Sequence, residues 1–216
     1  MAQRLRNPPI TASPIRVAVC VSGEGTTLQN LIDRIKSRKL RAEIVQVVAS
    51  RPRIGAIARA EAARIPLALA NYHARSTAEF SKSVFDPIHD SRSELVILAG
   101  FLSLLRIPPE YQGRVINVHP ALIPAFCGKG YYGSKVHKAV VESGVKVSGC
   151  TVHFVDDSYD RGPIILQRAV PVLENDTPQE LAARVFKEEC EALPEAIKLY
   201  AEGGLEIQGR RVAVRR

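Results

Sequence analysis

No apolar run in this 216-residue chain approaches the ~18 residues that a membrane-spanning helix needs. The longest, Leu95 to Leu102, is interrupted by Gly100. No charged segment followed by an apolar stretch opens the chain, so no secretory signal is expected. The cysteines Cys20, Cys127, Cys150 and Cys190 show neither CxxC spacing nor a histidine at zinc-finger spacing. That argues against structural zinc and for a reducing compartment, the cytoplasm. Net positive charge is also scarce in the body of the chain, where basic and acidic residues nearly balance. The net charge is +8, but Arg4, Arg6, Arg16, Arg210, Arg211, Arg215 and Arg216 supply most of it, from two ends that hold no acid. A body this balanced is a poor nucleic-acid groove. Small molecules, rather than nucleic acid or a membrane, are the expected partners, and a monomer and a homodimer both remain open.

What is present is a composition of 46% hydrophobic and 24% charged residues, that of a folded domain. Residues 15–208 read as that domain. Residues 1–14, with Pro8, Pro9 and Pro14, read as a flexible arm, and 209–216 as a basic end. Arg16 to Val21, Ile44 to Ala49, Leu67 to Leu69, Leu95 to Ala99 and Val115 to Val118 read as strands. Helices are expected from about Leu28, over Gly55 to Arg64, from Thr77 to about Phe85 with Pro87 as its bend or end, and over Lys135 to Glu142. This alternation predicts an α/β fold: a doubly wound, Rossmann-like, mostly parallel sheet. The pattern changes after residue 150. Thr151 to Val155 and Ile164 to Val170 are joined by a loop too short for a helical crossover, which predicts an antiparallel C-terminal part. Thr177-Pro178-Gln179-Glu180 is a capping box for a helix reaching towards Tyr200, kinked at Pro194, and Gly204 to Val214 reads as a terminal hairpin.

Ligands of such sheets sit beyond the carboxyl ends of the strands. Three features fall there. Gly23-Glu24-Gly25-Thr26-Thr27 follows a strand and opens a helix, so its N–H groups and hydroxyls suit one phosphate. Leu28 occupies the place where a dinucleotide fingerprint wants a third small residue. The plain alternative is a tight strand-to-helix turn. Gly128-Lys129-Gly130 resembles a phosphate loop only superficially. Asn117 and His119 lie two apart on a strand and point to one side, where both can donate to a developing oxyanion. Asp160 precedes a Gly-Pro turn that feeds a buried strand, so its position is fixed. Beside His119 it would keep the imidazole protonated. His153 reads as a hydrogen-bonded core histidine, and Glu188 and Glu189 read as solvated helix carboxylates.

These pieces resemble one family. Val21-Ser22-Gly23-Glu24-Gly25-Thr26, Leu98-Ala99-Gly100-Phe101, Ile116-Asn117-Val118-His119-Pro120-Ala121-Leu122-Ile123-Pro124, Val152-His153-Phe154-Val155 and Asp160-Arg161-Gly162-Pro163 match, in order, motifs of the phosphoribosylglycinamide formyltransferases, folate-dependent enzymes of purine synthesis. The resemblance implies that 10-formyltetrahydrofolate is the co-substrate, with no metal. It implies that Asn117, His119 and Asp160 are the catalytic trio. Gly25, Thr26 and Thr27 would hold the phosphate, and Phe186, Lys187, Glu188 and Glu189 the ribosyl substrate. Leu102, Ser103, Leu104 and Leu105, together with Asn117, would wall the folate pocket, with Asp156, Asp157, Ser158, Tyr159 and Asp160 closing over it. Arg75 is the candidate folate-side arginine. Thr27 stands where the family usually has Asn, Ser103 where many members have Arg, and the segment Cys127 to Lys135 is longer than in some members. A formyltetrahydrofolate hydrolase and a non-catalytic phosphoribosyl-binding module are the alternatives.

Overall fold

The computed structural model describes residues 4–6, 10 and 14–215. The chain forms two compact units, Pro9–Asn117 and Val118–Arg216 together with the N-terminal segment. That segment supplies strand β1 (Arg4–Arg6).

The first unit alternates strand and helix: β2 (Ile15–Val21), α1 (Thr26–Lys36), β3 (Ala42–Ala49), α2 (Gly55–Ala62), β4 (Leu67–Leu69), α3 (Thr77–Asp90), β5 (Leu95–Ala99) and β6 (Val115–His119). The strands pair in parallel in the order β4-β3-β2-β5-β6. Val17 to Val21 and Leu95 to Ala99 are buried without alternation, as a sheet covered on both faces requires. The chain leaves β2 in one direction, to β3 and β4, and returns on the other side with β5. The switch point therefore lies between β2 and β5, the crevice where ligands of open parallel sheets bind.

Helix α1 starts at Thr26, immediately after Gly25 in the left-handed conformation at φ 73°, and carries Arg34 and Lys36 in its last turn. Helix α3 departs from the expectation. It continues through Pro87 to Asp90 instead of ending near Phe85. Proline forfeits one N–H inside a helix. Here Phe85 and Ile88 are buried on either side of it, and burial of such side chains is worth about 1.5–3 kcal/mol each, enough to offset the loss.

The second unit contains α4 (Ser134–Ser143), β7 (Val147–Phe154), β8 (Ile164–Pro171), α5 (Pro178–Ala201), β9 (Leu205–Gln208) and β10 (Arg211–Val214). Strands β7 and β8 are antiparallel, as expected, with a register slip between Val152 and His153. Strand β10 pairs parallel with β8 and antiparallel with β9, and β1 pairs antiparallel with β9. The terminal hairpin is present, and β10 takes residues 211–214 into a sheet. The capping box of α5 is made: the Thr177 hydroxyl accepts the Glu180 N–H at 3.3 Å and the Glu180 carboxylate accepts the Thr177 N–H at 2.8 Å. The helix runs through Pro194 to Ala201 and packs on β7 and β8 through Leu181, Val185, Leu193 and Ile197.

Of the arm read over residues 1–14, only Arg4–Arg6, Ile10 and Pro14 fall among the described residues. Among the described residues no helix is long and apolar enough to cross a membrane. A cavity of about 670 Å³ lies between α3 and residues 106–111, and is lined by none of the candidate site residues.

Candidate active site

Strand β6 ends on His119, and Pro120 turns the chain away. His119 is only 3% exposed. Its Nδ1 lies 3.5 Å from Asp160 Oδ2, and its Nε2 lies 2.8 Å from the Phe126 carbonyl oxygen. The other Asp160 oxygen, Oδ1, lies 3.7 Å from Nε2 of His153, whose Nδ1 is 2.8 Å from the Phe154 carbonyl. The Gly128 N–H donates to Asp160 Oδ2 at 2.9 Å. Asp160 holds this place with a left-handed backbone, φ 54°, which aspartate tolerates better than most residues. Asn117 precedes His119 by two residues on β6, so both side chains leave the same face of that strand.

The hydrogen bonds constrain the protons. A ring nitrogen facing a carbonyl must carry the hydrogen. His119 therefore donates from Nε2 to Phe126, and His153 donates from Nδ1 to Phe154. Each ring then aims its second nitrogen at one carboxyl group. Burial lowers the His119 pKa below its ordinary value. Asp160 and the Phe126 carbonyl oppose that fall, and His153 adds to it. Burial by itself would raise the Asp160 pKa, but His153, His119 and the Gly128 N–H together outweigh it and the net direction is down. An imidazolium at rest was the expectation for His119. Desolvation exceeds the pull of the carboxylate in that balance, so enclosure works against the charge that Asp160 favours.

The glycine loop is built at the end of β2. The Ala56 N–H at the start of α2 donates to the Gly23 carbonyl at 3.1 Å. Arg59 of α2 donates from Nε to the Glu24 carbonyl at 2.8 Å and from a guanidinium nitrogen to Gln29 of α1 at 3.2 Å. Gly25 lies so close to Ala56 that a Cβ there would stand 2.7 Å from the alanine Cβ. The loop's one acid, Glu24, turns its carboxylate towards Gly55, with Oε2 only 2.5 Å from where a Cβ on Gly55 would lie. No side chain caps α1 behind Gly25. The first N–H groups of α1 and the hydroxyls of Thr26 and Thr27 thus form a donor cluster suited to an anion.

Residues 15–197 match the family described as formyl transferase. The chain belongs to the formyl transferase family. A phosphoribosylglycinamide formyltransferase of the chloroplast from Vigna unguiculata is 39% identical over 198 residues, covering 89% of this chain and 63% of that protein. The trifunctional purine biosynthetic protein adenosine-3 of Gallus gallus is 39% identical over 201 residues, covering 92% of this chain and only 20% of that protein. This chain therefore spans less than two thirds of either relative's length. Among solved structures, glycinamide ribonucleotide transformylase 1 of Symbiobacterium toebii superposes with a TM-score of 0.86 at 38% identity, covering 95% of this chain and 96% of that one. A formyltetrahydrofolate deformylase of Pseudomonas syringae superposes with a TM-score of 0.82 at 25% identity, covering 95% of this chain and 67% of that one.

In this member of the formyl transferase family, the structure brings His119 and Asp160 together and adds two groups that the sequence reading left out. His153 was read as a hydrogen-bonded core histidine. It is one, at 1% exposure, but it also faces Asp160. The register slip beside it, Val152 against Leu166 and His153 against Ile164, leaves Ile165 of β8 as the extra residue. Gly128, dismissed as part of a superficial motif, supplies an N–H to the carboxylate.

The remaining positions are scattered in role. Asp156 caps its own turn by accepting the Ser158 N–H at 2.9 Å, while Asp157 and Ser158 are exposed and Tyr159 is half-buried. Leu102 is exposed, Ser103 and Leu104 are half-buried and Leu105 is buried. Arg75 is exposed ahead of α3, with its N–H on Glu79. On α5, Lys187 is exposed, and Glu188 is engaged by Arg168 at 3.2 Å instead of being simply solvated. Phe186 and Glu189 are half-buried and lie three residues apart, on one helix face.

Glu189 also departs from the solvated reading: enclosure raises its carboxyl to about 7. A group raised in the folded state stabilises fully below its unfolded value and loses that contribution as pH rises through the folded one. Glu189→Gln should therefore raise the melting temperature at pH 8 and leave it nearly unchanged at pH 5. An equal shift at both values in thermal unfolding would refute an enclosed carboxyl.

Proposed function

We propose that this chain transfers the formyl group of 10-formyltetrahydrofolate to the primary amine of 5-phosphoribosylglycinamide. The observation that carries the reading is the pairing of His119 with Asp160 at the end of β6, with the Nε2–H of the same ring directed at an oxygen acceptor, the Phe126 carbonyl. The family membership and the names of the relatives support it. The amine attacks the formyl carbon directly, so no protein nucleophile is required. The new C–N bond forms, the bond from the formyl carbon to the folate nitrogen breaks, the amine gives up one proton and the folate nitrogen takes one. Negative charge gathers on the formyl oxygen. The Nε2–H of His119, now donated to Phe126, and the amide of Asn117 would donate to that oxygen, each worth roughly 10²–10³ in rate. Asp160 would orient His119 and hold the amine proton in passage, through water.

In this reading the glycine loop anchors the phosphate, and that remote contact fixes the approach of the amine. Residues 102–105 and 156–160 enclose the folate, and Glu189 faces the ribosyl group. The four thiols are free, which supports a cytoplasmic setting.

A spectroscopic transfer assay with formyl-folate tests the reading. Consumption only when phosphoribosylglycinamide is added is the expected result. Consumption without it would favour the hydrolase alternative, which the likeness to the Pseudomonas syringae deformylase keeps in view. No consumption at all would leave a binding module. Thr26→Ala should raise KM for the phosphoribosyl substrate by roughly tenfold and KM for folate much less, as loss of one charge-assisted hydrogen bond predicts. Equal effects in steady-state kinetics would argue against phosphate at Thr26.

A further inference from the structure

The two segments that leave the switch point are joined by one hydroxyl. Ser22 is the first residue after β2, and Leu102 lies just past β5. The Ser22 Oγ accepts the Leu102 N–H at 3.1 Å and pairs with the Ser50 hydroxyl, beyond β3, at 2.7 Å. The Ser22 carbonyl accepts the Arg51 guanidinium at 3.1 Å. Ser22 is 2% exposed and Ser50 7%, so this junction is dry. Leu102 has left the strand ladder, and its N–H would have no sheet partner. The hydroxyl supplies one. The result is a residue whose backbone is fixed while its apolar side chain stands 41% exposed, the arrangement of a wall waiting for a ligand. The residue after Ser22 is Gly23, the start of the glycine loop.

We propose that Ser22 is a positioning residue that fixes the folate-facing segment, Leu102 onward, against the phosphate-binding loop. Neither loop contacts the other through side chains of its own in the bonds above. Ser22 joins them because it ends the central strand and sits between their origins. The inference rests on reading residues 102–105 as folate wall and 25–27 as phosphate site.

The bonds separate two roles. Ser22→Ala removes the acceptor of the Leu102 N–H, whereas Ser50→Ala removes only the brace to β3 and leaves that acceptor in place. Ser22→Ala should raise KM for formyl-folate by about tenfold, the scale of one buried N–H left unsatisfied, and kcat at saturation by less than threefold in either direction. Amide exchange at Leu102 should speed up by a similar factor of roughly ten in Ser22→Ala and stay near the wild-type rate in Ser50→Ala. Ser50→Ala should hold the folate KM within about twofold. Ser22→Thr, which keeps the oxygen, is the second variant in case the alanine form folds poorly, and its folate KM should stay within about threefold of the wild type.

A folate KM in Ser22→Ala within twofold of the wild type overturns the proposal. So do equal effects of Ser22→Ala and Ser50→Ala, which would make the hydroxyl pair a brace between β2 and β3 only. Leu104→Ala separates the underlying reading. If it also leaves the folate KM unchanged, residues 102–105 are not the folate wall and both fall together. If it raises KM while Ser22→Ala does not, only the role of Ser22 fails.

Discussion

Asp160→Asn should lower kcat by roughly 10²–10⁴ with the fold intact, placing it among losses of a group that orients a catalytic histidine. The carboxylate accepts from Gly128 and faces one nitrogen of each of two histidines. An amide keeps the shape but offers one oxygen and one NH₂. It can serve Gly128 or one ring as acceptor, never all three. It also removes the charge that opposes the burial-driven fall of His119, so His119 should titrate lower still in the variant.

The stability signs can be worked out separately. Asp160 lies below its unfolded value of 3.8, so its contribution is present above that value and is lost as pH falls through the folded one. The variant should therefore lose less stability than the wild type as pH falls below 3.8, although it is the weaker enzyme at pH 7. Steady-state kinetics at pH 7 and thermal unfolding across the acid range check both halves. Turnover within a few fold of the wild type would remove Asp160 from the chemistry.

Much of the first unit was legible because parallel strands buried on both faces read as unbroken apolar runs. Leu67–Leu69 and Leu95–Ala99 match their expected bounds. What sequence could not reveal depended on position in space. Pro87 looked like a stop because proline opposes a helix locally, but burial of Phe85 and Ile88 outweighs that preference. The nearness of His119 to a carboxylate can be guessed from a motif, whereas its degree of enclosure cannot. Glu189 looked solvated because helix carboxylates usually are, and its raised pKa comes from packing alone. The His119–Asp160 pair itself could be anticipated, since a residue at a strand's end and a residue before a Gly-Pro turn both have little freedom. His153 could not be placed at Asp160, because that contact joins a strand to a loop whose path the residue types do not fix.

Gly162→Ala should cost on the order of 3 kcal/mol of stability and lower turnover at least as far as Asp160→Asn, since overpacking against rigid backbone is at the upper end of such costs. A Cβ on Gly162 would overlap the Phe154 carbonyl oxygen. No left-handed angle is involved, and the obstacle is space alone. The same Phe154 carbonyl accepts from His153 Nδ1, and the Phe154 N–H donates to the Pro163 carbonyl at 2.9 Å. Backbone cannot yield as a side chain would, so the strand and the loop must separate. Separation would take Asp160, two residues upstream, away from His153 and His119 together.

The two variants are therefore distinguishable. Asp160→Asn loses rate, and its unfolding midpoint at pH 7 falls only by the contribution of the one carboxylate. Gly162→Ala loses rate and also the ~3 kcal/mol of the backbone overlap. Denaturant unfolding combined with kcat on the folded fraction measures this. A Gly162→Ala enzyme with wild-type turnover per folded molecule would mean that the geometry around Asp160 is not what the reaction depends on.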